Sequence, residues 1–126
     1  MTDTESLKHV KFNYKIWLST HDDKGIMGDG KWKILKAIEE HGSLKAATDA
    51  LGITYRRTWG DLKEIEEVLG FALLDKSRGG KDGGNTCLTP EGINLVQDFD
   101  QFHEKIDSVI EEAFVEFKQK LNLNRE

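Results

Sequence analysis

The amino-acid sequence predicts a mainly helical fold with a small β component (α+β), built of short helices and hairpins and closing on one long helix; three observations carry that expectation. Two short helical stretches, 43–51 and 54–69, are separated by a turn containing Gly52, and the second opens on two arginines. A glycine-rich run, Gly79-Gly80-Lys81-Asp82-Gly83-Gly84-Asn85, lies between two short apolar stretches. From Leu95 onward apolar residues recur at alternating steps of four and three, which keeps one stripe on one side of a helix.

Taken in chain order, Val10, Phe12, Tyr14, Ile16 and Leu18 alternate with polar residues and predict a half-buried strand over 10–19. His21 to Gly25 supplies turn residues, and Ile26-Met27 is short enough for a return strand or an extended linker. Asp29 is placed to cap a helix over 29–41, with Trp32, Leu35 and Ile38 as its apolar stripe and Gly42 as its end. Ser43 is placed to cap the next helix, whose Leu44, Ala47 and Leu51 face inward, and the small Ala46 and Ala47 allow another helix to cross closely. Thr54 caps a third helix bearing Trp59, Leu62, Ile65, Glu66 and Leu69. Two short helices joined by a tight turn, the second with cations at its start, form a helix-turn-helix. Phe71 to Arg78 reads as a strand and Thr86-Cys87-Leu88 as its return, so 71–88 is a wing and 1–92 a winged helix-turn-helix. Thr89-Pro90-Glu91 combines a cap, a first-turn proline and an acid beside the positive helix end, so a long helix starts there and runs over 89–121, with 122–126 as a tail.

The net charge of −5 looks wrong for a protein that binds nucleic acid. Its distribution reverses that impression. Residues 1–42 carry seven basic and seven acidic side chains and 43–90 again seven of each, whereas 91–126 carry four against nine, so the whole excess lies in the last helix. A local basic face can still read DNA while an acidic tail weakens non-specific binding. No segment has the roughly 18 continuous apolar residues of a membrane span, and Met1 to Lys11 has no apolar stretch of a signal peptide. A cytoplasmic protein with no membrane partner is expected. Cys87 is the only cysteine, read as a small apolar wing residue, so neither a disulfide framework nor a thiol metal cluster is expected.

Several residue groups imitate chemistry. Gly25 to Lys31 has the Gly-x4-Gly-Lys spacing of a phosphate-binding loop, but Trp32 stands where that loop needs Ser or Thr for magnesium. His9, His21, His41 and His103 are scattered without ligand spacing, and His21-Asp22-Asp23 reads as a polar turn. No nucleophile or carboxylate pair stands beside a base with scaffold around it, so neither an enzyme nor a cofactor is expected.

Gly42-Ser43-Leu44-Lys45-Ala46-Ala47, Gly52-Ile53-Thr54-Tyr55-Arg56-Arg57-Thr58-Trp59, the doubled glycines of 79–84 and Leu88-Thr89-Pro90-Glu91-Gly92 together resemble the N-terminal DNA-binding domain of ModE-type, molybdate-responsive transcriptional regulators. The resemblance runs from about Gly28 to Leu95, and LysR-type regulators share the paired alanines and the Leu-Thr-x-x-Gly that opens the last helix. It implies a transcriptional regulator with double-stranded DNA as partner. Full-length members carry strand-built molybdate modules, and none is visible here; a stand-alone form is expected, with molybdate or another effector left open.

The major groove admits one helix and is read by side chains near its N-terminal end. Arg56 and Arg57 sit at that end and can grip guanine bidentately, with Thr54, Tyr55 and Lys63 within reach of phosphates or base edges. Trp59 reads as core, and Tyr55 as core or contact. Ser43 and Lys45 at the preceding helix start can hold a phosphate as well as cap the helix. Lys76, Arg78 and Lys81 of the wing either straddle a phosphate or enter the minor groove, or form a solvated turn. Leu95, Phe99, Phe102, Ile106, Val109 and Ala113 form a seam with no partner in so short a chain, which predicts a homodimer on an inverted repeat. Two other readings stay open: a winged helix that docks a protein through its acidic helix, and a small oxyanion- or metal-responsive sensor.

Overall fold

The computed structural model describes residues 7–76 and 86–125. Their contacts divide the chain into two units: Ile16–Phe99, and Met1–Lys15 with Asp100–Glu126.

In the first unit, strand β1 (Trp17–Ser19) pairs antiparallel with β2 (Gly25–Gly28), Trp17 opposite Gly28 and Leu18 opposite Met27, with a bulge between Leu18 and Ser19. The connecting turn is closed by Thr20, whose amide donates to the Lys24 carbonyl at 2.8 Å and whose hydroxyl accepts from the Lys24 amide at 3.0 Å. Helix α1 spans Asp29–His41. Its cap residue is Gly28 rather than Asp29, which lies in the first turn. A side chain is barred at Gly28, because a Cβ there would sit 2.6 Å from the Ile16 carbonyl and 2.7 Å from the Trp17 Cβ. The close approach of β1 therefore sets where α1 begins.

Helix α2 spans Leu44–Leu51 and α3 spans Tyr55–Leu69. The turn between them depends on Gly52 at φ 70°, a left-handed conformation that glycine adopts without strain. Leu35, Ile38, Leu44, Ala47, Leu62 and Ile65 bury their side chains together, so α1, α2 and α3 share one core. Two-residue strands β3 (Leu74–Asp75) and β4 (Cys87–Leu88) pair antiparallel and add Leu74 and Leu88 to it. The strand expected over Phe71 to Arg78 is much shorter, because the amides of Leu73 and Leu74 are taken by the Glu66 carboxylate and not by a neighbouring strand. Residues 77–85, with the expected glycine-rich loop, lie outside the described residues.

Helix α4 spans Pro90–Arg125, longer than the expected 89–121, so no separate tail begins at 122. Thr89 fixes its start: its hydroxyl donates to the Ala72 carbonyl at 2.6 Å and accepts from the Gly92 amide at 2.9 Å. The unit boundary falls inside this helix and not at residue 92, because Val96 and Phe99 belong to the core and the Phe99 ring lies 5.6 Å from that of Trp32. Phe99 is 4 % exposed and Leu95 is packed against the same core. These two residues of the expected seam therefore pack inward with the core.

In the second unit the expected strand over 10–19 is absent before Trp17. Among the described residues, β2 pairs only with 17–19, so 10–16 have no ladder partner. The alternation serves a different packing. Phe12 and Tyr14 stack at 5.7 Å, Phe12 meets Phe114 of α4 at 5.7 Å, and Tyr14 stacks on His103 at 6.4 Å. An extended segment with apolar residues at every second position thus lies on a helix instead of in a sheet. Among the described residues no helix is long and apolar enough to cross a membrane.

Candidate nucleic-acid interface

Helices α2 and α3 with their Gly52 turn form the helix-turn-helix. The Ile53 amide donates to the Thr48 carbonyl at 3.0 Å and the Thr58 amide to the Thr54 carbonyl at 3.1 Å, which fixes the chain on both sides of the turn. Thr54 is exposed and its hydroxyl makes no capping bond. Arg56 and Arg57 are exposed, and among the described residues no ion pair holds either guanidinium. Thr58, Leu62 and Ile65 bury the opposite side of the helix. At about 100° per residue, Arg56 lies close to the centre of the outward face and Arg57 on its flank. Arg57 there lines an open hollow of about 320 Å³ with Lys31, Ile34, Ile53 and Asp61.

The other expected contacts divide. Ser43 is occupied as a cap, accepting from the Ala46 amide at 3.0 Å, and the Leu44 amide donates to the Thr86 carbonyl at 2.8 Å. What remains at this helix start is the Lys45 ammonium, exposed and loosely paired with Asp49 at 3.5 Å. Tyr55 is half-buried and packed on the core, as is Trp59. Lys63 is engaged within its own fold, 2.9 Å from Glu66 and 5.5 Å above the Trp59 ring. Lys76 is exposed, with its ammonium 5.2 Å from the same ring. Arg78 and Lys81 lie outside the described residues.

A residue given only a place on the apolar stripe turns out to organise the site. Glu66 accepts from the Leu73 and Leu74 amides at 2.8 and 2.9 Å through one oxygen and from Lys63 at 2.9 Å through the other. It ties the strand that leads into the wing to the helix that carries the arginines. The sequence signal was a carboxylate standing on the buried stripe beside Leu62, Ile65 and Leu69. Burial pushes its carboxyl up, but the Lys63 hydrogen bond and the two amides outweigh this and hold it below the ordinary value of 4.5. Because the folded-state value is depressed, the stabilisation is complete above 4.5 and is lost as pH falls below it. Glu66→Ala, which strands two amides, is expected to cost about 2–3 kcal/mol in urea unfolding at pH 7. Glu66→Gln should keep part of that and flatten the fall in stability below pH 4.5 relative to wild type; equal acid profiles would show that the bracket contributes nothing.

Comparison with known proteins agrees with this geometry. The family described as bacterial regulatory helix-turn-helix proteins, lysR family, matches residues 30–93. The molybdenum-pterin-binding protein MopB of Rhodobacter capsulatus is 29% identical over 98 residues, 78% of this chain and 35% of that protein. The transcriptional regulator ModE of Haemophilus influenzae is 29% identical over 100 residues, 79% of this chain and 36% of that protein. The DNA-binding transcriptional dual regulator ModE of Escherichia coli K12 is 33% identical over 67 residues, 53% of this chain and 26% of that protein. The chain thus spans between a quarter and somewhat more than a third of the length of these curated relatives. The family match takes in α1, the helix-turn-helix, both wing strands and the start of α4, just over half of the sequence, and the chain belongs to the lysR family of bacterial regulatory helix-turn-helix proteins.

Proposed function

We propose that this chain is a sequence-specific, double-stranded DNA-binding transcriptional regulator that places the first turn of α3 in the major groove and binds an inverted repeat as a homodimer. One observation carries the reading: two exposed arginines, free of ion pairs among the described residues, at the N-terminal end of the second helix of a helix-turn-helix. Arginine in that place matches the acceptor pair of guanine. Only the first turn is suited to the groove, because α3 becomes acidic further on, with exposed Glu64 and Glu67. Lys45 supplies a phosphate contact from α2.

The dimer part of the reading is supported by α4, where Phe102, Val109 and Phe117 are 46, 60 and 58 % exposed, apolar side chains about two turns apart. A two-fold dimer of such units matches half-sites one or two helical turns apart, roughly 34 Å per turn. The test is selection from a random duplex pool followed by fluorescence anisotropy at two salt concentrations. Enrichment of a palindromic sequence whose binding survives higher salt better than bulk DNA supports the reading. Weak binding without enrichment overturns it and favours a protein-docking role for the acidic α4, which carries nine acidic against four basic residues over 91–126.

A further inference from the structure

The outward face of α3 contains a residue that the fold does not require. Gly60 lies in the interior of the helix, with Arg56 and Arg57 one turn before it and Lys63 and Glu64 one turn after. At about 100° per residue it sits opposite the buried side formed by Thr58, Leu62 and Ile65. Its backbone is not left-handed, and a Cβ added there meets no atom within 4 Å. Among the other described glycines, Gly42, Gly52 and Gly70 have positive φ, and at Gly28 and Gly92 a Cβ would strike backbone at 2.6 and 2.8 Å. Gly25 and Gly30 are also open, but at the start of a strand and in the first turn of a helix. Inside a helix, glycine is the most destabilising residue after proline. A weak helix former has therefore been placed where the monomer gains nothing from it.

Gly60 is itself half-buried, yet no atom stands within 4 Å of where its Cβ would be. Lys63, one turn on, is drawn to Glu66 and the Trp59 ring. The result is a notch beside Arg56 on the face that the proposed function turns toward DNA. We infer that Gly60 is a specificity-determining residue of that reading helix: the missing side chain lets the α3 backbone settle against a base-pair edge in the major groove, at the depth from which Arg56 reaches guanine. This rests on the DNA-reading proposal above.

The experiment compares wild type, Gly60→Ala and Gly60→Leu by thermal unfolding and by anisotropy on the operator selected with wild type and on a scrambled duplex of equal length. Gly60→Ala is expected to raise Tm by about 3–6 °C, as a better helix former should. Its operator affinity should fall about tenfold or more and that of Gly60→Leu further, with scrambled-duplex binding unchanged. A more stable Gly60→Ala that binds the operator as wild type does would overturn the inference and leave the DNA-reading proposal standing. A lowered Tm would overturn it too, by showing that the fold itself needs the glycine. If wild type selects no operator, the parent proposal fails, and this inference with it.

Discussion

Phe102→Asp combined with Val109→Asp is expected to leave a monomer at micromolar concentration in sedimentation, and to lower affinity for a two-half-site operator by roughly 10²- to 10⁴-fold, the avidity lost when linked sites become independent. Both side chains are exposed on α4, at 46 and 60 %, so the substitutions leave the core of Ile16–Phe99 intact. In a dimer each would place an unpaired carboxylate in an apolar contact, which few interfaces tolerate. Binding to a single half-site should stay at the wild-type level, which separates lost pairing from lost reading. Ile106→Asp should act in the same direction. A double variant that still sediments as a dimer would remove this face from the interface.

The second large effect belongs to the reading helix. Arg56→Ala/Arg57→Ala is expected to weaken operator binding by about 30- to 10⁴-fold, since each bidentate guanine contact is worth about 1–3 kcal/mol. Neither arginine is held in an ion pair among the described residues, so Tm should hardly move. Separately, Arg56→Ala should cost more discrimination than Arg57→Ala, because Arg56 lies nearer the outward centre of α3 while Arg57 lines the hollow beside Ile34 and Ile53. Lys45→Ala serves as a control: a phosphate contact weakens all sequences alike and lowers the salt slope by about one. If the double arginine variant retains full operator affinity, the first turn of α3 is not what reads the DNA.

These predictions draw on features of different visibility in the sequence. Local signals placed the helix boundaries well where the cap is itself local. Ser43 bonds an amide three residues on, Thr89 does the same before Pro90, and Gly52 takes a left-handed turn between two helices. The apolar stripe of α3 was legible for the same reason, being set by a helical period within one element. Arg56 follows from it, since a residue opposite a buried stripe faces outward, and Arg57 falls on the flank of the same face.

Features that depend on a distant segment were not legible. Alternation over 10–19 looks the same whether the chain pairs in a sheet or lies on a helix, and Phe12 and Tyr14 take the second course against Phe114 and His103. Leu95 and Phe99 continue the period of Phe102 and Val109, yet the first pair packs with the core and the second faces outward. Lys63 is legible as a cation near the start of α3, but its pairing with Glu66, which also takes the amides of Leu73 and Leu74, is not. The sequence by itself determined where α2 and α3 start and stop, where α4 starts and which side of α3 is buried, because capping and periodicity act within a few residues. Only the tertiary structure decided which cations remain available, which seam residues are exposed and where the strands end, because each depends on a partner from elsewhere in the chain.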